Sequence, residues 1–230
     1  MIYGLFAILG VASLAGMMMS GKLKSVFGKY GQYALRSNMT GREVAQHMLD
    51  HYGIHDVKIV PSRGSLTDHY NPKTKTIALS EPVYNSRSIA AAAVAAHECG
   101  HAVQHDTNYP MLNMRSSLVP LVQISSSIQK YLFMGGLFIF GAVSQSPMIL
   151  LILTISFGIT FLFSLVTLPV EFDASRRALA YLDGTGIAQG AEYDGARESL
   201  KWAAMTYVVN ALGSLAAFLF LLFRFMGSND

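Results

Sequence analysis

The stretch Ala96-His97-Glu98-Cys99-Gly100-His101 decides how this chain is read. On a helix, His97 and His101 stand one turn apart on the same face, so both imidazoles can reach a single metal ion. Glu98 lies beside them, placed to take a proton from a water held by that metal. This is the H-E-x-x-H arrangement, a specific signal for metal-assisted hydrolysis. Its surroundings agree. Ser88 can cap a helix that continues through the alanine-rich run Ile89 to Ala96 as far as His105, and Pro110 stands beyond its end. Cys99, the one cysteine, points away from the His97/His101 face and reads as helix packing. A single thiol allows no internal disulfide.

Composition places this motif in an apolar chain. Of 230 residues, 52% are hydrophobic and only 13% charged, where soluble domains average about a quarter charged. Together with a mean hydropathy of +0.37, this makes a polytopic membrane protein the better class. No basic stripe with interleaved aromatics is present, so nucleic acid is not expected as a partner. The methionines, several of them in the first apolar run, read as lipid-facing or packing residues.

Residues 1–21 contain an apolar run of about one membrane thickness, Ile2 to Met19, followed by Lys22, Lys24 and Lys29. A cleaved signal peptide carries its positive charge before the apolar core, so an uncleaved anchor with its amino terminus outside is expected. Residues 22–117 are polar enough to form a soluble lobe. There, Thr40-Gly41-Arg42-Glu43 has capping-box spacing and opens a helix ending near Tyr52 and Gly53. Asp56 to Val60 alternates like a strand. Gly64 to Tyr70, the turn Asn71-Pro72-Lys73 and Thr74 to Ser80 read as strand, turn, strand. Residues 118–170 form a two-span membrane hairpin broken at Gly141 to Pro147. Its first piece reaches Tyr131 to Val143 from near Val119 and takes Lys130 with it, which must snorkel or face protein. Residues 171–202 form a helical segment, and residues 203–226 a last span ending at Arg224. The expected architecture is a mainly α membrane protein with about four transmembrane helices and a small α+β lobe.

Lys and Arg concentrate after the first span and after the third, where Arg176, Arg177, Arg197 and Lys201 lie; the turn at Gly141 to Pro147 has none. The positive-inside rule puts the metal helix and the 171–202 segment on the cytoplasmic side. A catalytic zinc needs a third protein ligand besides two histidines. Glu171 emerges from the third span on the same side as the metal helix, with Asp173 beside it as an outer partner or a helix N-terminal charge.

The motifs Ala95–Ala102, Leu66-Thr67-Asp68-His69-Tyr70-Asn71-Pro72 and Glu171–Arg177 resemble those of the YugP-type neutral zinc metallopeptidases, bacterial membrane proteins of the gluzincin kind. The likeness runs from about Tyr30 to the last span. It implies one zinc held by His97, His101 and Glu171, with Glu98 as general base, a peptide or protein substrate, and a multi-pass place in the bacterial plasma membrane. The order helix, hairpin, metal helix is that of a zincin-like lobe. In such lobes the strand before the metal helix, here including Thr76, Ile77, Ala78 and Leu79, offers an edge to an extended substrate. The chain is also similar to the HtpX and CAAX-protease families, which carry an Asp four residues after the ligand Glu. Ser175 stands at that position here, so the support of the ligands must be built differently, and Asp173 is a candidate substitute.

Other residues carry weaker signals. His69, Tyr181 and Arg176 are candidates to stabilise the oxyanion. His105 continues the metal face by a turn and reads as a solvated helix end. His47, His51 and His55 lack an acidic or thiol partner in sequence and read as surface residues. Two alternatives compete. In a site-2-type intramembrane protease, Leu182-Asp183-Gly184 would supply Asp183 as third ligand, though the apolar stretch before His97 is only about eight residues, too short to bury the site in lipid. In a non-catalytic zinc-binding scaffold, Cys99 would have to close the coordination sphere.

Overall fold

The computed structural model describes residues 2–136 and 146–227. The break expected at Gly141 to Pro147 falls mostly outside them. The chain is mainly helical, with α1 (Ile2–Tyr30), α2 (Gly41–His51), α3 (Glu81–Tyr84), α4 (Ile89–Asp106), α5 (Pro110–Gly136), α6 (Pro147–Gly184) and α7 (Ala191–Met226). One small sheet contains β1 (Lys58–Ser62), β2 (His69–Asn71) and β3 (Thr76–Ser80). Two compact units divide the residues: 1–19, 114–168 and 206–230 form one, and 20–113 with 169–205 form the other.

In the first unit, Leu5, Leu150, Leu153, Phe157, Ala217 and Leu221 pack into an apolar cluster. Among the described residues, three helices are long and apolar enough to cross a membrane: Tyr3–Tyr30, Pro147–Gly184 and Ala191–Met226. The helix expected to supply a fourth span, α5, leaves the described residues after Gly136. Polar side chains tie it to α6 all the same. Gln129 Nε2 donates to Ser156 Oγ (3.0 Å) and Thr160 Oγ1 (2.9 Å), and Ser156 Oγ donates to the Ser125 carbonyl at 3.0 Å. Such bonds satisfy polar groups on helices with apolar surroundings.

The second unit holds the metal motif. Helix α2 begins with the capping box, Thr40 Oγ1 accepting from Glu43 N and the Glu43 side chain accepting from Thr40 N. Its end is turned by Gly53 at φ 70°, a conformation open to glycine because it has no Cβ. Val44, Ala45, Met48 and Leu49 of α2 are buried against α4, whose alanine run is buried throughout. Ser88 caps α4 by accepting from Ala91 N.

The sheet corrects one expectation. Strand order is β1-β3-β2, with β1 parallel and β2 antiparallel to β3. Thr76, Ile77, Ala78 and Leu79 therefore sit on the central strand, pairing with Lys58, Ile59, Val60 and Pro61 on one side, and Thr76 to Ala78 with β2 on the other. Thr76 to Ala78 have no open edge for a substrate, and Leu79 is paired on its β1 side alone; β1 and β2 form the edges. The hairpin β2-β3 is local and legible. The parallel partner arrives from before the hairpin, a non-local pairing that no local pattern announces. Pro61 in β1 is consistent with an edge, since proline cannot donate to a ladder. The strand expected over Gly64 to Tyr70 is reduced to β2, because Gly64 (φ 98°) and Leu66 (φ 59°) bend the chain before it.

The unit's two main helices meet at Gly100. A Cβ there would lie 2.6 Å from the Ala174 carbonyl oxygen and 3.1 Å from its Cα, so only glycine lets α6 come this close to α4. Helix propensity alone would favour Gly100→Ala by about 1 kcal/mol, whereas overpacking against rigid backbone costs about 1–3 kcal/mol. The clash should win: Gly100→Ala is expected to lower the thermal midpoint in detergent, and a raised midpoint would mean the two helices are not held in contact.

Candidate metal centre

The approach at Gly100 sets Glu171, on α6, over the two histidines of α4. Nε2 of His97 lies 3.3 Å from Glu171 Oε2 and Nε2 of His101 lies 3.6 Å from the same oxygen. All three ligand atoms fall within 4.8 Å of one another, and among the described residues no other cluster of His, Cys, Asp or Glu meets this condition. His101 and Glu171 are buried and His97 is partly exposed, so the cluster is open on one side.

The outer partners set the protonation of the ligands. Gln104, wholly buried, sits between His101 and α6. Its Nε2 donates to the Val170 carbonyl at 2.8 Å and to Asp173 Oδ2 at 3.0 Å. Both partners can only accept, so Gln104 Oε1 must be the atom facing His101 Nδ1 at 3.0 Å, and Nδ1 carries the hydrogen. The Nε2 lone pair of neutral His101 then points at Glu171. On His97 the Nδ1 position is taken by the Ser175 hydroxyl at 3.1 Å. Lone pairs gathered around a buried carboxylate repel unless a cation stands among them, and two imidazoles with one carboxylate suit zinc. The donor set fits the ion.

A proton on either Nε2 competes for the place of the ion, because it would bond Glu171 instead. Burial opposes ionisation of Glu171, yet hydrogen bonding to His101 and His97 outweighs it and holds the carboxyl well below the ordinary range. Burial would lower the His101 pKa, but the bonds and charge of Glu171, with Glu98 and Gln104, raise it above 6.5. Burial pushes Glu98 up, only partly offset by His97 and His101, which makes it a stronger base than an exposed carboxylate.

The remaining candidates are spread more widely. Asp173 does not touch a histidine; it reaches His101 through Gln104 and is itself bonded by Arg176 and by Arg177 Nε (2.5 Å). Ser175, at the position of the missing Asp, contacts His97 directly. The Tyr181 hydroxyl is 2.5 Å from His47 Nδ1, and its ring packs edge-on to His51, so it joins α6 to α2 instead of facing the metal cluster. His47 and His51 are exposed, as expected of surface residues, and also contact Tyr181. His69 bonds the Thr67 carbonyl within its own turn at 2.8 Å, and His105 bonds the Tyr70 hydroxyl at 2.7 Å, joining α4 to β2. Cys99 Sγ faces the Ala45 carbonyl at 3.4 Å, inside the packing of α2 on α4. Asp183 lies about 18 Å along α6 from Glu171 at 1.5 Å per residue, outside the cluster. Two residues were overlooked in the sequence. Gln104 stands three positions after His101 and so shares its helix face, a spacing that could have revealed it. Asp68, which takes Ser80 N (2.7 Å) and Ser80 Oγ and so shapes the step from β3 to α3, had no such signal.

Two imidazoles one helical turn apart and a carboxylate from a second helix, with a buried glutamate beside them, form a group that could hold a metal ion, with donors of the kind zinc takes. The comparisons agree. A family model described as "Putative neutral zinc metallopeptidase" matches residues 5–226. The chain is 40% identical over 227 residues to "Putative membrane protease YugP" of Bacillus subtilis, covering 98% of this chain and 99% of that protein. No solved structure matches. The chain belongs to the YugP-type neutral zinc metallopeptidase family.

Removing the amide that orients His101 should weaken zinc without unfolding the protein. Gln104→Ala is expected to lower zinc affinity roughly 10- to 100-fold, measured by competition with a chromogenic chelator; unchanged affinity would show that Gln104 plays no orienting role. Protons compete with the ion for His101, whose pKa is raised. Zinc affinity should therefore begin to fall while pH is still above the ordinary imidazole value and decline further as pH drops, as the same competition across a pH series will test.

Proposed function

We propose that this protein is a membrane-embedded zinc metalloendopeptidase of the gluzincin type. In this reading His97, His101 and Glu171 hold one zinc ion and Glu98 is the general base. The observation that carries it is the meeting of three ligand atoms from α4 and α6 beside a buried glutamate. Bound there, zinc would supply Lewis acidity, activating water near neutral pH and polarising the scissile carbonyl. The chain's own residues do the rest. Glu98 accepts the proton of the attacking water and delivers it to the leaving amine. Gln104 and Ser175 hold the histidines by Nδ1 and leave Nε2 for the ion. Asp173, clamped by Arg176 and Arg177, keeps Gln104 from turning.

The substrate is a peptide or protein, and the residues around the motif form a zincin-like lobe. Four spans fit the sequence best, with α5 supplying the second; its polar bonds to α6 support this. The loop charges favour the metal lobe on the cytoplasmic side of a bacterial plasma membrane. The position of Asp183 and the direction of Cys99 leave the intramembrane and structural-zinc alternatives without support.

Glu98→Gln separates catalysis from metal binding. The variant should retain one zinc by elemental analysis and lose about 10²-fold or more of its activity on an unfolded protein substrate. Full cleavage by this variant would remove Glu98 from the mechanism.

A further inference from the structure

The second unit contains a cleft beside the candidate metal centre, with which it shares Ser175 and Arg176. Its volume is about 450 Å³, and its lining joins α6 to α7. The floor is apolar: Phe172, Leu179, Leu200 and Met205. The rim is basic: Arg176 from α6, and Arg197 with Lys201 from α7. Arg197 and Lys201 are four residues apart, hence on one helix face. Both are exposed, and neither is among the ion pairs of the described residues. Arg176 shares Asp173 with Arg177, but its side chain is 75% exposed, so it can take a second acceptor.

The level of the cleft identifies its occupant. The apolar run of α6 ends at Val170 and that of α7 begins at Met205. Phe172 and Met205 line the same cleft, so the ends of the two runs meet at its floor. Arg176 lies four residues beyond Phe172 and Lys201 four before Met205, each about 6 Å along its helix. The headgroup layer of a bilayer occupies about 5–7 Å outside the hydrocarbon. By the tilt of Cβ atoms to the helix N-terminus, Arg176 leans back toward the lipid, whereas Lys201 and Arg197, the latter about 12 Å before Met205, lean away from it and depend on their long flexible stems to reach a headgroup. Trp202 follows Lys201 at the depth where aromatic residues anchor helices, and Lys22 stacks over it at 5.4 Å. Phe172 is 45% exposed, a surface that an acyl chain would cover.

We propose that this cleft binds the phosphate headgroup of an anionic phospholipid, with Arg176, Arg197 and Lys201 on the phosphate and Phe172 and Met205 against the first carbons of the chains. Basic pockets between helices at the cytoplasmic face are suited to such headgroups. A peptide carboxylate would satisfy the charges but leave the floor at the lipid level uncovered. The inference rests on the membrane-spanning reading of α6 and α7 and not on the peptidase assignment. One end of the cleft is Ser175, which contacts His97, so an occupied cleft lies one residue from the metal centre.

The test uses the full-length protein in detergent, titrated with phosphatidylglycerol or phosphatidylcholine and read by native mass spectrometry, with zinc content measured on the same samples. Phosphatidylglycerol should bind the native chain at least roughly tenfold more tightly than Arg197→Gln/Lys201→Gln. Phosphatidylcholine should not distinguish them, and the exchange Arg197→Lys/Lys201→Arg should keep the native affinity. Equal phosphatidylglycerol binding by the Gln variant overturns the proposal. So does displacement of the lipid by inorganic phosphate, which marks a free-anion site, or by a peptide with a free C-terminus but not its amide, which marks a substrate subsite. On the unaltered chain, binding that ignores a rise in salt from about 50 to 500 mM overturns it without any variant, because phosphate contacts are screened by salt. Zinc stoichiometry should stay the same throughout; its loss in Glu171→Ala with lipid binding intact keeps the two readings separate.

Discussion

Everything at the metal centre depends on how near α6 can come to α4. The backbone of Ala174 rests where a side chain of residue 100 would be, and this contact sets the height of Glu171 above His97 and His101. A zinc site tolerates ligand distances only within narrow limits, so a helix pair spaced by even one methyl group would carry its acid out of range. The glycine inside the H-E-x-x-H motif thus belongs to the metal site although it offers no ligand atom. Two neighbouring contacts hold the same interface, Gln104 on Val170 and Asp173 and Ser175 on His97, while Tyr181 on His47 ties α6 to α2.

That interface also explains how the His97–His101–Glu171 cluster is supported with Ser175, and not an aspartate, four residues after Glu171. A carboxylate there would bond a ligand histidine directly. Here the work is divided. Ser175, short and neutral, meets His97, while a carboxylate two residues nearer the glutamate acts on His101 through the amide of Gln104. The amide's two ends cannot be exchanged without placing like against like, donor on donor or acceptor on acceptor. The histidine's tautomer is thereby set by groups that are not ligands, and a neutral link replaces a direct charge on His101.

Around this centre the second unit uses ordinary devices. An alanine-rich helix can be buried on every side because its side chains are small, and α2 lies close against it with Cys99 as filling. The three-stranded sheet brings Asp68 to Ser80 and Tyr70 to His105, so the hairpin is tied to both ends of the segment that carries the motif. The histidines of α2, His47 and His51, surround Tyr181 and fix the far end of α6. Four of the seven histidines thus serve packing or hydrogen bonding beside the two of the candidate metal cluster.

The sequence by itself determined the local features. The metal helix and its cap, the capping box of α2, the hairpin turn and the apolar runs were readable because each depends on residues a few positions apart. The pairing of His97 with His101 follows from helical period alone, and the choice of Glu171 from the family pattern and the counting of spans. Tertiary structure decided what depends on distant segments meeting. β1 lies parallel to β3 and closes the edge expected for substrate, Tyr181 faces His47 instead of the metal, and Gln104 links His101 to Asp173. None of these leaves a mark on the local sequence, because hydrogen bonds between distant segments are set by which surfaces the packing of α4 against α6 brings into reach.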